Sequence, residues 1–472
     1  MPHHGDLIRL SATEAVDLLK AREVSPIDLI EAAARRIEEV DARINALPLR
    51  FLDRAREAAK RLPSTATKRA SQPGWLAGLP IAVKDYNDVA GQVTTYGSSI
   101  FKNNVAVASD ATVLALEASG AIPIAKSNVP EFAGANTFNA VYGATRNPWD
   151  LGRSAGGSSG GAAAALAAGM VWLASGNDLG GSLRIPASFC GIVGLRPSVG
   201  RVPRPAANPP FDALWVEGPM GRTVSDVALM LDAEATQTTG DPWSRPPPER
   251  PFVEATKSPV APRRVAFSSN LSLSRIEPEV GAICRKGALS LRSAGVDVDE
   301  ACPDLSDGIE AFQTLRALMF ASVRGELVAT HREQMSPDIV WNLEKGLGLT
   351  ASEILRAERI RARIHARMIE FFRTFDLLAC PTVAVAPFPV EQRFPTEIAG
   401  EKLQTYIDWM FLTFVISLTG CPAISVPCGV TASGLPVGLQ LVGRPHGDYA
   451  LLAAARVLEQ TREDMGNPLP IP

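Results

Sequence analysis

Residues that bind metals or form disulfides are scarce in this chain. Its 472 residues include only five histidines and six cysteines. No H-E-x-x-H segment and no Cys/His cluster offers a metal site. The cysteines, Cys190, Cys284, Cys302, Cys380, Cys421 and Cys428, are scattered, and no two form a C-x-x-C. That pattern reads as buried free thiols of a cytoplasmic protein, not as a disulfide framework. A basic excess is also missing. Lys and Arg number 47 against 50 Asp and Glu, a net charge of −3, which argues against a nucleic-acid partner. The longest apolar run, Gly161 to Ala174, is rich in Ala and Gly and stops at Ser175. It falls short of the roughly 18 residues that a membrane span needs. The N-terminus shows no basic segment followed by an apolar stretch, so no secretory signal is expected. Hydrolytic chemistry in this chain would have to work without metal or cofactor.

What is present reads as α/β. Ser11 to Leu62 carries apolar residues such as Ile30, Ala33, Ile37 and Val40 at helical spacing. Gly78 to Asp85 is a short apolar run behind a Gly/Pro break, a buried strand. Ala111 to Ser119 reads as a helix ended by Gly120, and Ala121 to Lys126 as the next strand. Strand, helix, strand in succession suggests a crossover on a partly parallel sheet. Asp241 to Arg263 holds seven prolines and reads as an extended surface connection between two halves. Beyond it, strands at Arg264 to Ser268, Leu377 to Pro381, Ala423 to Pro427 and Leu435 to Gly443 alternate with helical patterns. The last of these patterns is Asp448 to Leu458. The expected organisation is one domain over 1–472. It has an N-terminal helical part to about 70, a core from about 75 to 235 and a C-terminal half from about 264 to 460.

Chemistry concentrates where glycine does. Leu151 to Gly200 contains twelve glycines and the pair Ser158-Ser159. A helix from Gly160 to Gly169 travels ~15 Å, and a strand from Met170 to Ser175 returns roughly 18–20 Å. The loop Ala155 to Ser159 and the turn Asn177 to Ser182 can therefore lie at one end of a sheet. Backbone N–H groups of Gly180 and Gly181 could face a ligand oxygen as an oxyanion hole, or simply make a tight turn. Lys84 closes the apolar run LPIAV. Burial there would favour its neutral form, which can take a proton from a serine, and a solvated lysine is the plain alternative. On a strand, Asp85 would point to the face opposite Lys84.

Several segments carry a resemblance. GLPIAVKD (Gly78 to Asp85), SNVPEFA (Ser127 to Ala133) and TRNPWDLGRSAGGSSGG (Thr145 to Gly161) resemble the amidase signature family. So do GNDLGGSLRIPASFCGIVGLRPS (Gly176 to Ser198), VEGPMGRTVSD (Val216 to Asp226), and GCPAISVPCG with GLPVGLQLVG near the C-terminus. With gaps, the resemblance runs from about Leu10 to Leu458. It implies a single large α/β/α domain with a mixed central β-sheet surrounded by helices, and a Ser–cis-Ser–Lys triad. By motif the lysine is Lys84, the bridging cis-serine Ser158 and the nucleophile Ser182. The implied oxyanion donors are the N–H groups of Leu179, Gly180, Gly181 and Ser182. Phe132, Ala133 and Gly134, which follow SNVPE, are implied to lie near the substrate. Phe211, Trp215, Trp409 and Phe411, in stretches that vary among relatives, are further pocket candidates. One departure stands out: Asn177 precedes Asp178 where many relatives have Thr or Ser.

The implied activity is hydrolysis of a small-molecule amide through an acyl-enzyme on Ser182, on aryl or medium alkyl amides, with esters and carbamates also in range. Two other branches stay open: the amidase component of a glutamyl-tRNA(Gln) amidotransferase, and a ureido-acid hydrolase of the allophanate or carboxybiuret type. The amidotransferase branch is expected to carry a segment like SSLDQ-x-GP, whereas this chain has PPFDALWVEGPM (Pro209 to Met220). A homodimer is the assembly kept open. Decoys are weak. Gly156 to Gly160 matches G-x-S-x-G, but Asn147 to Gly157 reads as a loop, and His331, His365 or His446 would have to join it. Ser99 to Lys102 matches S-x-x-K without its companion motifs, and no G-K-[ST] makes a phosphate loop.

Overall fold

The structure, a computed structural model, describes residues 7–62, 72–205 and 209–462. His3, His4 and the end of the expected N-terminal helical part, 63–70, lie outside the described residues.

Eleven strands form one mixed sheet. In chain order they are β1 (Leu49–Arg50), β2 (Pro80–Lys84), β3 (Ile122–Ser127), β4 (Leu173–Asp178), β5 (Val193–Arg196) and β6 (Val216–Gly221). The C-terminal half adds β7 (Arg264–Phe267), β8 (Asp297–Glu300), β9 (Leu377–Pro381), β10 (Ala423–Val430) and β11 (Pro436–Val442). Across the sheet the order is β1-β3-β2-β4-β6-β5-β10-β11-β9-β7-β8. The β3-β2-β4 and β9-β7-β8 pairings are parallel, and the others are antiparallel. The two halves of the chain meet at the β5–β10 edge, where Leu195 pairs with Ile424.

Side chains alternate across this sheet as strand geometry requires. Ala266 and Leu378 face one core, with Phe312 and Leu315 of the helix Gly308–Arg324 and Phe414 of the helix Phe411–Leu418. Val265, Phe267 and Leu377 face the other, with Val227 and Leu231 of Val224–Glu234 and Leu451 of Asp448–Thr461. Helices therefore cover both faces. No helix among the described residues is long and apolar enough to cross a membrane.

Local sequence explains the elements near the site. Ser25 caps the helix Pro26–Ile44, and the Asp28 carboxylate accepts from the Ser25 N–H at 2.8 Å, a capping box with Pro26 in the first turn. That helix buries Leu29, Ile30, Ala33, Ile37, Val40 and Ile44. The helix Gly160–Ala167 is buried on every side. Its small residues are a steric necessity, because a Cβ at Gly161 would lie 2.3 Å from the Asn128 nitrogen.

Three sequence expectations need correction. β4 begins at Leu173, not at Met170, because Met170, Val171 and Trp172 are buried without joining a strand. The segment Asp241 to Arg263 is not wholly extended. Phe252–Lys257 is helical, and Phe252 and Ala255 pack into the core beside Val224–Glu234. Asn147 to Gly157 is not all loop, since Asp150–Ser154 pairs with Arg146–Asn147 in a hairpin outside the main sheet. All six cysteines are free.

Candidate active site

Lys84 is the last residue of β2 and is fully buried. Its backbone N–H donates to Ser175 Oγ at 3.2 Å, which ties the strand end to β4. The ammonium nitrogen donates to Ser158 Oγ at 2.8 Å and to Asn177 Oδ1 at 2.6 Å. Burial lowers its pKa to about 7, while the Glu217 and Asp178 carboxylates oppose that fall. Asp85 stays out of this environment: it accepts from Thr95 and lies 3.8 Å from Lys126.

Ser158 follows a cis peptide bond from Gly157. Gly157 must be glycine, because a Cβ there would lie 2.0 Å from the Ala135 carbonyl oxygen. The helix out and strand back do return to one end, as Ser159 N–H donates to the Ser182 carbonyl at 3.3 Å. Among the described residues no hydrogen bond joins the Ser158 and Ser182 hydroxyls, so the structure brings Lys84 to Ser158 directly and Ser182 only to the same end.

The turn from Asp178 to Ser182 is held by charge. Asp178 Oδ1 accepts from Gly181 N–H at 2.9 Å and Oδ2 from Leu183 N–H at 3.2 Å. Arg184 grips both oxygens, Nε on Oδ2 at 2.9 Å and an Nη on Oδ1 at 2.8 Å, while Arg196 adds a contact at 3.2 Å. Burial alone would raise the Asp178 pKa, but the two guanidinium groups hold it well below the usual carboxylate range. Gly181 has φ +122°, and a Cβ there would lie 2.3 Å from Thr413 Oγ1. Its N–H is engaged by Asp178. Those of Leu179, Gly180 and Ser182 donate to no described group, so three of the four expected donors stay open.

A pocket enclosing about 490 Å³ of empty space, open mouth included, leads to this turn. Ser182, Leu179, Gly180 and Asn177 line it together with Phe132, Ala133 and Gly134, the residues that the resemblance implies lie near the substrate. Phe132 and Ala133 sit at φ +47° and +58°. Hydrogen bonds pin this strained loop: Phe132 N–H to the Tyr96 carbonyl at 2.8 Å, and Arg316 to the Gly134 carbonyl at 2.9 Å. Trp215 reaches the pocket. The other three aromatic candidates do not. Phe211 is exposed, while Trp409 and Phe411 are buried in the core, where Trp409 stacks on Phe189. Sequence reasoning missed Tyr86, Phe312, Arg316, Met319, Phe320 and Met410, which also line the pocket. It also missed Glu217, whose one signal is a lone acid inside the otherwise apolar strand β6.

The nucleophile-elbow decoy finds no histidine. His331 bonds Thr330, His365 bonds the Thr419 carbonyl and His446 bonds Arg245. Among the described residues no group of three or more His, Cys, Asp or Glu is placed to hold a metal ion.

A buried lysine bonded to a serine thus lies beside a serine-bearing glycine turn at the end of a mixed sheet. Residues 28–452 match the Amidase family model, and the chain belongs to that family, the amidase signature enzymes. It is 36% identical over 459 residues to the acylamidase of Rhodococcus erythropolis, covering 96% of this chain and 95% of that one. It is 35% identical over 483 residues to a component of the glutamyl-tRNA(Gln) amidotransferase of Moorella thermoacetica, covering 97% and 98%. The crystal structure of a bacterial aryl acylamidase of the same family superposes with a TM-score of 0.90 at 28% identity, covering 98% and 99%. The protein is a hydrolase acting on amide C–N bonds.

Proposed function

We propose that the protein is an acylamidase in which Ser182 is the nucleophile, Ser158 the proton relay and Lys84 the base. The observation that carries this reading is the 2.8 Å contact from the buried Lys84 to Ser158 at the end of the sheet where Ser182 opens into the pocket. Ser182 Oγ attacks the amide carbonyl carbon after its side chain rotates toward Ser158. Its proton passes to Ser158 Oγ while the Ser158 proton passes to neutral Lys84 Nζ. The negative charge on the carbonyl oxygen is met by the N–H groups of Leu179, Gly180 and Ser182. Collapse breaks the C–N bond, and the proton returns through Ser158 to the leaving nitrogen. Water then attacks the acyl-Ser182 ester by the same relay and releases the carboxylic acid. Drawn this way, the reaction uses no metal or cofactor, and the enzyme acts in the cytoplasm on a small molecule.

The wall of Phe132, Phe312, Met319 and Phe320 suits an aryl or medium alkyl acyl group. The named acylamidase and aryl acylamidase relatives support hydrolysis of acyl amides in general. The amidotransferase components among the relatives support the second reading, but Pro209 to Met220 lacks the segment expected of that branch. A screen of amides, carbamates and esters of graded acyl size, read by amine or alcohol release, tests the proposal. The expected result is a kcat/KM that rises from acetyl to benzoyl and hexanoyl amides. A preference for acetamide or for small ureido acids would overturn it, as would activity that appears only with a stoichiometric partner.

A further inference from the structure

The helix Gly308–Arg324 turns one stripe toward the catalytic pocket. Phe312, Arg316, Met319 and Phe320 follow one another at helical spacing, and all four line the pocket with Ser182. Three of them are apolar, and Arg316 is the exception. It is only 3% exposed, and the surface it keeps lies at the pocket wall.

Among the described residues Arg316 bonds only neutral oxygens. One Nη donates to Asn342 Oδ1 at 2.6 Å and the other to the Gly134 carbonyl at 2.9 Å. A guanidinium has five N–H donors, and these bonds use two of them. The rings of Phe320 and Tyr406 lie 4.4 and 5.3 Å from its central carbon and fix the plane of the fork. More donors crowd the same spot. Asn342 Nδ2 and Tyr406 Oη are buried without a hydrogen-bond partner among the described residues. The acids carried nearby in the chain are already engaged. Asp338 pairs with Arg393 at 2.8 Å, and Asp408 accepts from Gln313 at 2.8 Å and from Thr405 at 2.6 Å. A buried cation with spare donors is costly unless an anion answers it, and no described carboxylate pairs with this one.

We propose that Arg316, with Asn342 and Tyr406 packed against it, is a carboxylate-binding site in the wall of the catalytic pocket. The amide substrate then carries a carboxylate remote from its scissile bond. The inference deepens the acylamidase reading and rests on Ser182 working from the same pocket. A carboxylate offers two acceptor oxygens to a planar fork and brings the charge that this wall lacks. Phe132, Phe312, Met319 and Phe320 enclose the apolar body of the substrate, and Arg316 takes its charged end. The carboxylate belongs either to the acyl part or to the amine part, and both give the same contact. The bond to the Gly134 carbonyl gives Arg316 a structural share as well, so the test has to separate binding from support.

The test is kcat/KM on benzanilide and on two analogues, one with a para carboxylate on the benzoyl ring and one with it on the aniline ring. Each is assayed with the wild type, Arg316→Gln, Arg316→Lys and Asn342→Asp. The readout is the preference for a carboxylated anilide over benzanilide, in which a general loss of activity cancels. The wild type should prefer one of the two by about tenfold, the worth of a hydrogen bond to a charged group. Which one it prefers tells whether the charge rides on the acyl or the amine part. Glutamine should erase the preference, and lysine should keep part of it. Asn342→Asp sets a carboxylate beside the guanidinium from within the protein and should erase the preference too. If neither arginine variant folds, this nearly isosteric change decides alone. A wild type that prefers neither carboxylated anilide overturns the proposal. So does a preference that survives in folded Arg316→Gln, because a purely structural role lowers all three substrates by one factor. If none of the three is cleaved, the acylamidase reading falls and this inference with it. If benzanilide is cleaved without preference, only this inference falls.

Discussion

Asn177 Oδ1 lies 2.6 Å from Lys84 Nζ, closer than the 2.8 Å between that nitrogen and Ser158 Oγ. The position at which this chain departs from many relatives is therefore a direct partner of the lysine. An amide oxygen accepts from either protonation state and fixes the direction of the amine, so that a lone pair can meet Ser158 once the proton is gone. Asn177→Ala should lower kcat/KM by about tenfold, the loss of one buried hydrogen bond to an ionisable group. Steady-state kinetics with one aryl amide checks this. A shorter hydroxyl, as in Asn177→Thr, should recover part of the rate.

The pH dependence follows from the same contacts. Lys84 is brought down to about 7, first by burial. Below that pH it is protonated and cannot accept from Ser158, and above it the amine is free. Rate should therefore rise from about pH 6 to a plateau above roughly pH 8. Lys84→Ala should lose most activity, and Lys84→Arg should not restore it, because guanidinium stays protonated. A profile flat down to pH 5 would place the base elsewhere.

Asp178 pairs with two buried guanidinium groups while orienting Gly181 and Leu183. Asp178→Asn should cost about 3–5 kcal/mol of stability, because uncompensated buried charge remains on Arg184 and Arg196. Chemical denaturation would read this as a lower midpoint. Charge placement, not packing alone, holds the turn from Asp178 to Ser182. An apolar substitution of similar size, Asp178→Leu, should therefore be no milder.

Sequence and structure agree most closely where a segment carries its own reason for its shape. The strand Leu377–Pro381 begins and ends where its apolar run does. The helix Pro26–Ile44 is announced by Ser25, Pro26 and its apolar spacing. The short helix Phe252–Lys257 was hidden because its stability comes from burying Phe252 and Ala255 against a distant helix, amid prolines that suggest extension. In the site, Lys84, Ser158, Ser182 and Phe132 to Gly134 were legible through motif. Glu217 and Arg316 were not, since each matters only for what the fold sets beside it. Trp409 and Phe411 illustrate the converse: aromatic character marks burial, and only topology decides whether the burial is core or pocket.

The central claim is that the acyl group is carried on Ser182, and covalent labelling tests it most directly. Treating the protein with a fluorophosphonate and mapping the adduct by peptide mass spectrometry should find the label on Ser182. Labelling should be lost in Ser182→Ala and slowed in Ser158→Ala, where the relay to Lys84 is broken. An adduct on the Ser158 peptide, or undiminished labelling of Ser182→Ala, would contradict the account.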